Sequence, residues 1–301
     1  MKKKIEEKYL DLGERGKLSK HNKLNELTGK EWIKFSKSWF IHRPPRRKED
    51  EVLHPAKFPE TLVSEFIRFF TKEGEWVIDP FLGTGSTAVA CLEINRNCIG
   101  VELLKKYYDV SKRRIDRVPA KLNSNPKAEL HNIDALQLLT LPLERNSIHY
   151  CITSPPYWNQ LERNSIRQKN RKEKNLDTKY SGLGNDLGNF ESYNEFIEKV
   201  CLVFDQVFDL MKVNGYLTII INNIYFQSKL YPLAFDLAIA LTKRGTKSWT
   251  MKDEKIWLQD DKPLIALGVN NAWVGNRHHQ YCLIFRKELT NERNSTCPPH
   301  Q

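Results

Sequence analysis

The chain has 301 residues, 40% of them hydrophobic, and a formal net charge of +11 at pH 7. No apolar run approaches the roughly 18–20 residues of a membrane span, and the charged start Met1-Lys2-Lys3-Lys4 leads into no apolar stretch, so no secretory signal is expected. That length and apolar content suffice for one large core, and the basic balance favours polyanionic partners.

Residues 1–50 are polar and basic with scattered aromatics (Trp32, Phe35, Trp39, Phe40), a pattern expected of an N-terminal arm or cap. A basic cluster, Arg43, Arg46, Arg47 and Lys48, surrounds Pro44-Pro45. From Phe58 the texture changes. Thr61 to Phe70 carries apolar residues at helical spacing, and "GEWVIDP" is a short strand ended by Pro80. A glycine loop, Gly83-Thr84-Gly85, precedes a small-residue helix from Ser86 to Glu93. "NCIGVE" reads as a strand, Leu103 to Ile115 as a helix, and "AELHNID" and "IHYCIT" as two further strands.

Residues 159–190 are polar, without periodicity, and carry Arg163, Arg167, Lys169, Arg171, Lys172 and Lys174. A loop this long inside a domain suits a functional insertion, although a charge run is also what a solvated loop looks like. Regularity resumes with a helix from Ser192 to Met211, the turn Asn214-Gly215 and the strand "YLTIIIN". A helix from Pro232 to Arg244 and the strands "EKIWL" and "YCLIFRK" follow, and the tail 288–301 is polar and expected to be flexible. Alternating strands and helices specify one α/β domain over 51–287 with a mostly parallel sheet. The six cysteines include no Cys-x-x-Cys pair, so buried reduced thiols and no metal site are expected.

The glycine loop admits two ligands. Gly83 and Gly85 permit a tight turn and close backbone approach, and the following helix aims its N-terminal amides at whatever sits there. Glu102, at the end of the next strand, suits two ribose hydroxyls. The same spacing loosely matches a dinucleotide fingerprint. The acid in Asp79-Pro80-Phe81 discriminates, because it would repel a pyrophosphate but suits the ammonium and sulfonium of S-adenosylmethionine.

Thr153-Ser154-Pro155-Pro156-Tyr157-Trp158 leaves the fourth strand through two prolines. An exocyclic amine is a poor nucleophile because its lone pair delocalises into the ring. It needs acceptors that hold its hydrogens and draw the nitrogen out of planarity. The Ser154 hydroxyl and the Pro155 carbonyl can supply two, on a backbone that the prolines fix. Tyr157, with help from Trp158, offers a ring to an extruded base. Carbon-5 methylation instead needs a cysteine nucleophile in the loop, and Cys151 falls inside the strand.

Taken together, Asp79-Pro80-Phe81-Leu82-Gly83-Thr84-Gly85 and Ser154-Pro155-Pro156-Tyr157 resemble the DNA methyltransferases that modify exocyclic amino groups. The resemblance runs from about Asn25 to Lys287. It implies a Rossmann-like class I methyltransferase fold whose mostly parallel sheet has seven strands, the last antiparallel. It implies S-adenosylmethionine as donor, held by Phe58, Asp79, Pro80, Phe81, Gly83, Gly85, Ser86, Thr87, Glu102 and Asp134, though a helix N-cap is an equally physical role for Asp134. The serine form of the tetrapeptide is typical of N4-cytosine enzymes, while Asp and Asn forms are more typical of N6-adenine enzymes. The donor motif precedes the tetrapeptide, opposite to many N4-cytosine members. Gln280, where the family commonly has Glu, and Lys57, where a smaller residue is frequent, depart from the pattern.

The resemblance further implies double-stranded DNA as partner, a restriction-modification or host-defence setting with a cognate restriction endonuclease, and a bacterial or archaeal cytoplasm or a phage origin. DNA contacts are expected from Arg46, Arg47, Arg163, Arg167, Lys169, Arg171, Lys172 and Lys174, with 270–279 assisting. N6-adenine methylation is the nearest alternative. Methylation of RNA or a protein amide, a catalytically silent DNA-binding regulator and hydride transfer are the others. The recognition sequence and oligomeric state stay open.

Overall fold

A computed structural model describes residues 8–43, 58–121, 124–158, 187, 190 and 192–288. The apolar face of α2 (Glu60–Phe70) buries Leu62, Val63, Phe66, Ile67, Phe69 and Phe70, and the helix leads into β4 (Trp76–Asp79). Three shorter strands lie earlier in the chain: β1 (Tyr9–Asp11) and β2 (Lys17–Ser19) form a hairpin, and β3 (Trp39–Ile41) follows α1 (Gly29–Phe35). After β4 the chain alternates through α3 (Ser86–Glu93), β5 (Asn97–Val101), α4 (Lys105–Ile115), β6 (Ala128–His131) and β7 (Ile148–Thr153). It continues with α5 (Tyr193–Leu210), β8 (Met211–Ile221), the hairpin β9 (Ile224–Phe226) and β10 (Lys229–Tyr231), α6 (Leu233–Thr242), β11 (Thr250–Leu258) and β12 (His279–Arg286).

The main sheet has the order β3-β11-β12-β8-β7-β4-β5-β6. From β8 to β6 every neighbouring pair is parallel, whereas β12 is antiparallel to both β8 and β11. This is the Rossmann-like methyltransferase architecture expected from the sequence, mostly parallel with the final strand reversed. It has eight strands where seven were expected. The additional one, β3, comes from the N-terminal segment and pairs parallel with β11 at Ile256↔Trp39 and Leu258↔Ile41.

Side chains hold that segment to the sheet. Lys255 donates to the carbonyls of Phe35 and Lys37, Asn25 Nδ2 donates to the Phe69 carbonyl at 2.6 Å, and Phe35 stacks on Phe69 with centroids 4.0 Å apart. Two apolar clusters sandwich the sheet. One gathers α2, α3 and one face of the strands, and the other gathers α5, α6 and the opposite face. Among the described residues no helix is long and apolar enough to cross a membrane.

Candidate functional site

In an open parallel sheet, ligands settle beyond the carboxyl ends of the strands, where the direction of winding reverses. Here the chain runs outward from β4 through β5 to β6, then returns to place β7 on the other side of β4. The carboxyl ends of β4 and β7 are therefore the reversal point. The glycine loop leaves one and Ser154-Pro155-Pro156-Tyr157 leaves the other.

Asp79, 0% exposed, binds these two exits together. Its Oδ1 accepts from the Thr153 hydroxyl at 2.6 Å and from the Phe81 amide at 3.0 Å, and its Oδ2 accepts from the Thr87 hydroxyl at 2.6 Å. Burial pushes the carboxyl up from 3.8 to about 6, while those three donors pull the other way. The sequence suggests direct attraction between this acid and a cationic ligand. The geometry adds a second role, a buried carboxylate with three donors from the chain that brackets loop and tetrapeptide.

The loop is held from three sides. Gly85 has φ 88°, left-handed, and a Cβ there would lie 2.8 Å from the Ser111 Cβ of α4, so both backbone and packing require glycine. Glu102, just beyond β5, accepts the Gly83 amide on Oε2 and the Leu104 amide on Oε1, each at 2.8 Å. A carboxylate oxygen can accept two hydrogen bonds, so such an acid can brace the loop and also receive ligand hydroxyls. Arg114 of α4 donates to the Thr84 carbonyl at 2.6 Å and pairs with Glu60, which accepts from the Ser86 hydroxyl at 3.1 Å. The Thr84 hydroxyl is buried with no hydrogen-bond partner among the described residues. A buried unpaired hydroxyl is costly, and in mid-loop it is the group a ligand would satisfy.

The remaining donor candidates surround this loop. Pro80 is buried, while Phe81 is half-buried with its ring centroid 6.5 Å from that of Phe204 in α5. Phe58 packs partly buried on the α2 cluster, two residues before the helix. Asp134 caps a short 3-10 turn (Ala135–Thr140) by accepting the Leu136 amide at 2.9 Å, the N-cap role weighed from sequence. A cavity of about 530 Å3 elsewhere, lined by Phe35, Trp39, Phe66 and Lys255 among others, includes none of these residues.

In the tetrapeptide, Ser154 and Pro156 are half-buried and Pro155 is buried. Tyr157 is 7% exposed and shares an apolar cluster with Trp158, Leu187, Ile224 and Leu233, so stacking on a base requires its ring to turn or its neighbours to part. Trp158 has a different commitment. Its indole N–H donates to the Phe190 carbonyl at 2.8 Å, and its ring meets Tyr193, Phe226 and Tyr231 edge-on. It anchors the β9–β10 hairpin beside the tetrapeptide, an element missed in the sequence because its two strands have only three residues each.

Two strand residues are removed from chemistry. Cys151 is fully buried, and burial pushes its thiol well above the usual value, so it offers no thiolate. Cys151→Ala should retain the methyl transfer that the sequence resemblance implies within about twofold per folded molecule, with a stability loss of ~1 kcal/mol; a complete loss of transfer in a folded variant would restore a cysteine-nucleophile route. His149 lies at the opposite end of β7, where burial and Lys212 depress its pKa to about 4. Among the described residues no cluster of His, Cys, Asp or Glu could hold a metal ion. The expected DNA contacts Arg46, Arg47, Arg163, Arg167, Lys169, Arg171, Lys172 and Lys174 lie outside the described residues.

Thr153, Glu60 and Arg114 are the site residues sequence reasoning missed. Thr153 adjoins the tetrapeptide and could have been read as a hydroxyl at a strand end. Glu60 and Arg114 lie 26 and 30 residues from the loop groups they contact, and only the fold brings them there.

A mostly parallel sheet with a glycine loop and a Ser-Pro-Pro-Tyr exit at its reversal point defines a Rossmann-like α/β protein. The particular family follows from sequence comparison. Residues 2–113 and 148–298 match a family described as DNA methylase, of the N6/N4 type, and the chain belongs to that family. It is similar to the type II methyltransferase M.BglI of Bacillus subtilis, 38% identical over 92 residues (31% of this chain, 26% of the relative). It is also similar to the orphan methyltransferase M.BamHII of Bacillus amyloliquefaciens, 35% identical over 106 residues (33% of this chain, 38% of the relative). The matches thus span well under half the length of either relative. Among solved structures, a SAM-dependent methyltransferase of Methanosarcina mazei aligns over 72% of this chain and 94% of its own, with 10% identity and a TM-score of 0.46.

Proposed function

We propose that the protein transfers a methyl group from S-adenosylmethionine to the N4 amino group of cytosine in double-stranded DNA, with the target base extruded from the helix, in a restriction-modification or host-defence setting. The observation that carries this reading is the Thr153–Asp79–Thr87 chain of hydrogen bonds, which fixes the glycine loop and the tetrapeptide to each other at the reversal point.

The donor site fits its ligand in three respects. The Thr84 hydroxyl has no partner among the described residues, the α3 N-terminus opens at Gly85, and Glu102 stands at the adjoining strand end. The donor supplies an electrophilic methyl carbon on a sulfonium. The protein's work is at the acceptor. Ser154 Oγ and the Pro155 carbonyl accept the amine hydrogens, which frees the nitrogen lone pair, and Tyr157 holds the base plane. The lone pair would form the new N–C bond as the methyl carbon–sulfur bond of the donor breaks and its electron pair returns to sulfur, leaving a neutral thioether; the methylated nitrogen then gives one proton to water, and no covalent enzyme intermediate is needed. Orientation supplies the rate. Cytosine is favoured over adenine because the tetrapeptide begins with serine.

The test is digestion of DNA modified by the purified protein to nucleosides, followed by mass spectrometry. N4-methylcytosine is the expected product. N6-methyladenine alone would transfer the same geometry to the other base, and incorporation of tritiated methyl into neither base would remove the enzymatic reading.

A further inference from the structure

We propose that the β11–β12 connection, residues 259–278, is a DNA-engaging finger whose Trp273 enters the duplex and supports it while the target base is out. This deepens the function proposed above and rests on it.

The first observation is the position of the connection. β11 runs parallel to β3 and antiparallel to β12, which is antiparallel to β8, so the connection leaves the same sheet edge as the glycine loop and the tetrapeptide. Adjacent strands are ~4.8 Å apart, which puts it laterally ~10–15 Å from Ser154, within the ~20 Å width of a duplex laid across that edge.

The second is what it displays. Trp273 is 91% exposed, Leu264 80% and Val269 60%, a concentration of apolar side chains in water within one connection of a strongly basic protein. The connection is nonetheless built. The Ile265 amide donates to Asn276 Oδ1 at 2.9 Å and Asn276 Nδ2 returns a bond to the Ile265 carbonyl at 2.8 Å, which closes its stem. At the tip, Gly268 has φ 64° and accepts the amides of Asn271 and Ala272 at 3.0 and 2.9 Å. A Cβ at Gly268 would lie 2.2 Å from the Ala272 carbonyl oxygen, so this turn tolerates only glycine.

The third is the charge around it. Arg277 lies over the Tyr225 ring at 5.6 Å and Lys229 over the Tyr231 ring at 5.0 Å, both rings on the β9–β10 hairpin that Trp158 anchors beside the tetrapeptide. Arg43 is tied to Asp260 at the base of the stem, at 3.0 Å. Cations interleaved with aromatics suit phosphates and bases together, whereas an apolar protein partner has no use for the cations. An apolar or aromatic side chain inserted into a base step stabilises unstacked DNA, the state base extrusion creates.

Trp273→Ala and Arg277→Ala are compared with the parent on three substrates: a matched duplex, the same duplex with a mismatch opposite the target, and the single strand. Trp273→Ala should lose about 10–100-fold in single-turnover rate on the matched duplex and recover most of it on the mismatched duplex and single strand, where extrusion is easy. Donor affinity should stay within twofold, and Trp273→Phe should retain most of the rate. Arg277→Ala should weaken binding to all DNA alike and flatten its salt dependence. Equal rates for Trp273→Ala and parent on the matched duplex, or equal losses on all three substrates, would overturn the proposal. If the parent methylates none of the three, the functional reading fails and takes the finger with it, an outcome distinct from an active parent matched by Trp273→Ala.

Discussion

Ser154→Ala should lower methyl transfer by about 10²–10³-fold at saturating donor and DNA while leaving donor affinity within twofold. The hydroxyl belongs to the acceptor side of the site, and loss of one preorganised hydrogen-bonding group at a reacting atom costs roughly that factor. Tyr157→Ala should fall at least as far, and because its ring is nearly enclosed in the α5–α6 cluster it also loses core packing, ~3–5 kcal/mol for an aromatic truncated to alanine. Tyr157→Phe tests the hydroxyl apart from the ring. It keeps the ring and should keep both the fold and most of the rate. Single-turnover kinetics with donor binding by calorimetry reads out all three variants. A Ser154→Ala enzyme of near-normal rate would remove Ser154 from the chemistry.

Asp79→Ala should be the most damaging substitution in the glycine motif. It strands the hydroxyls of Thr87 and Thr153 and the Phe81 amide in a fully buried position, at about 1–3 kcal/mol for each unsatisfied donor. Loss of the bracket should also loosen the loop from the tetrapeptide, so donor affinity and urea midpoint fall together. Asp79→Asn tests the electrostatic part alone. The native carboxyl titrates near 6 against 3.8 when free. Between those values the folded protein holds a proton that the unfolded chain has released. This contribution to stability is therefore full below pH 4 and lost as pH rises through 6, a change of ~3 kcal/mol. Urea titrations should show the parent losing that amount relative to Asp79→Asn between pH 4 and pH 7. Parallel curves would mean that the carboxylate keeps its charge inside the fold.

The sequence carried β4, β5 and β7 well, because each is a short apolar run ended by a proline, an acid or a threonine, whereas β8 begins at Met211 and runs through Asn214-Gly215, where a turn was expected. The helix from Ser86 to Glu93 falls where its small residues and preceding glycine put it. The N-terminal segment was less legible. Trp39 and Phe40 look like scattered aromatics in a basic arm, and with Ile41 become a strand only because Ile256 to Leu258 offers them an edge. The β9–β10 hairpin was missed for a related reason, since its turn uses Gln227 and Ser228 at positive φ, where glycine or asparagine is the usual signal. At the site, residue types were readable but partners were not. An acid before the glycines suggested a ligand contact, and the partners it has in the fold, Thr87 and Thr153, lie 8 and 74 residues away. The buried lysines 255 and 287 likewise serve backbone carbonyls, a use that composition alone cannot distinguish from DNA binding.

The short strand contributed by the N-terminal segment has a consequence for how the protein behaves in concentrated solution. Without it, the nine-residue β11 would present a long row of unpaired amides and carbonyls, a template on which a second chain could grow. With β3 in place Ile256 to Leu258 are paired, the rest of that margin carries the exposed charges Lys252, Asp253 and Glu254 beside a register shift at Met251/Asp253, and the opposite margin is the four-residue β6 behind Lys127. Short or charge-bearing margins resist edge-to-edge aggregation, so this sheet is a poor template for a second chain.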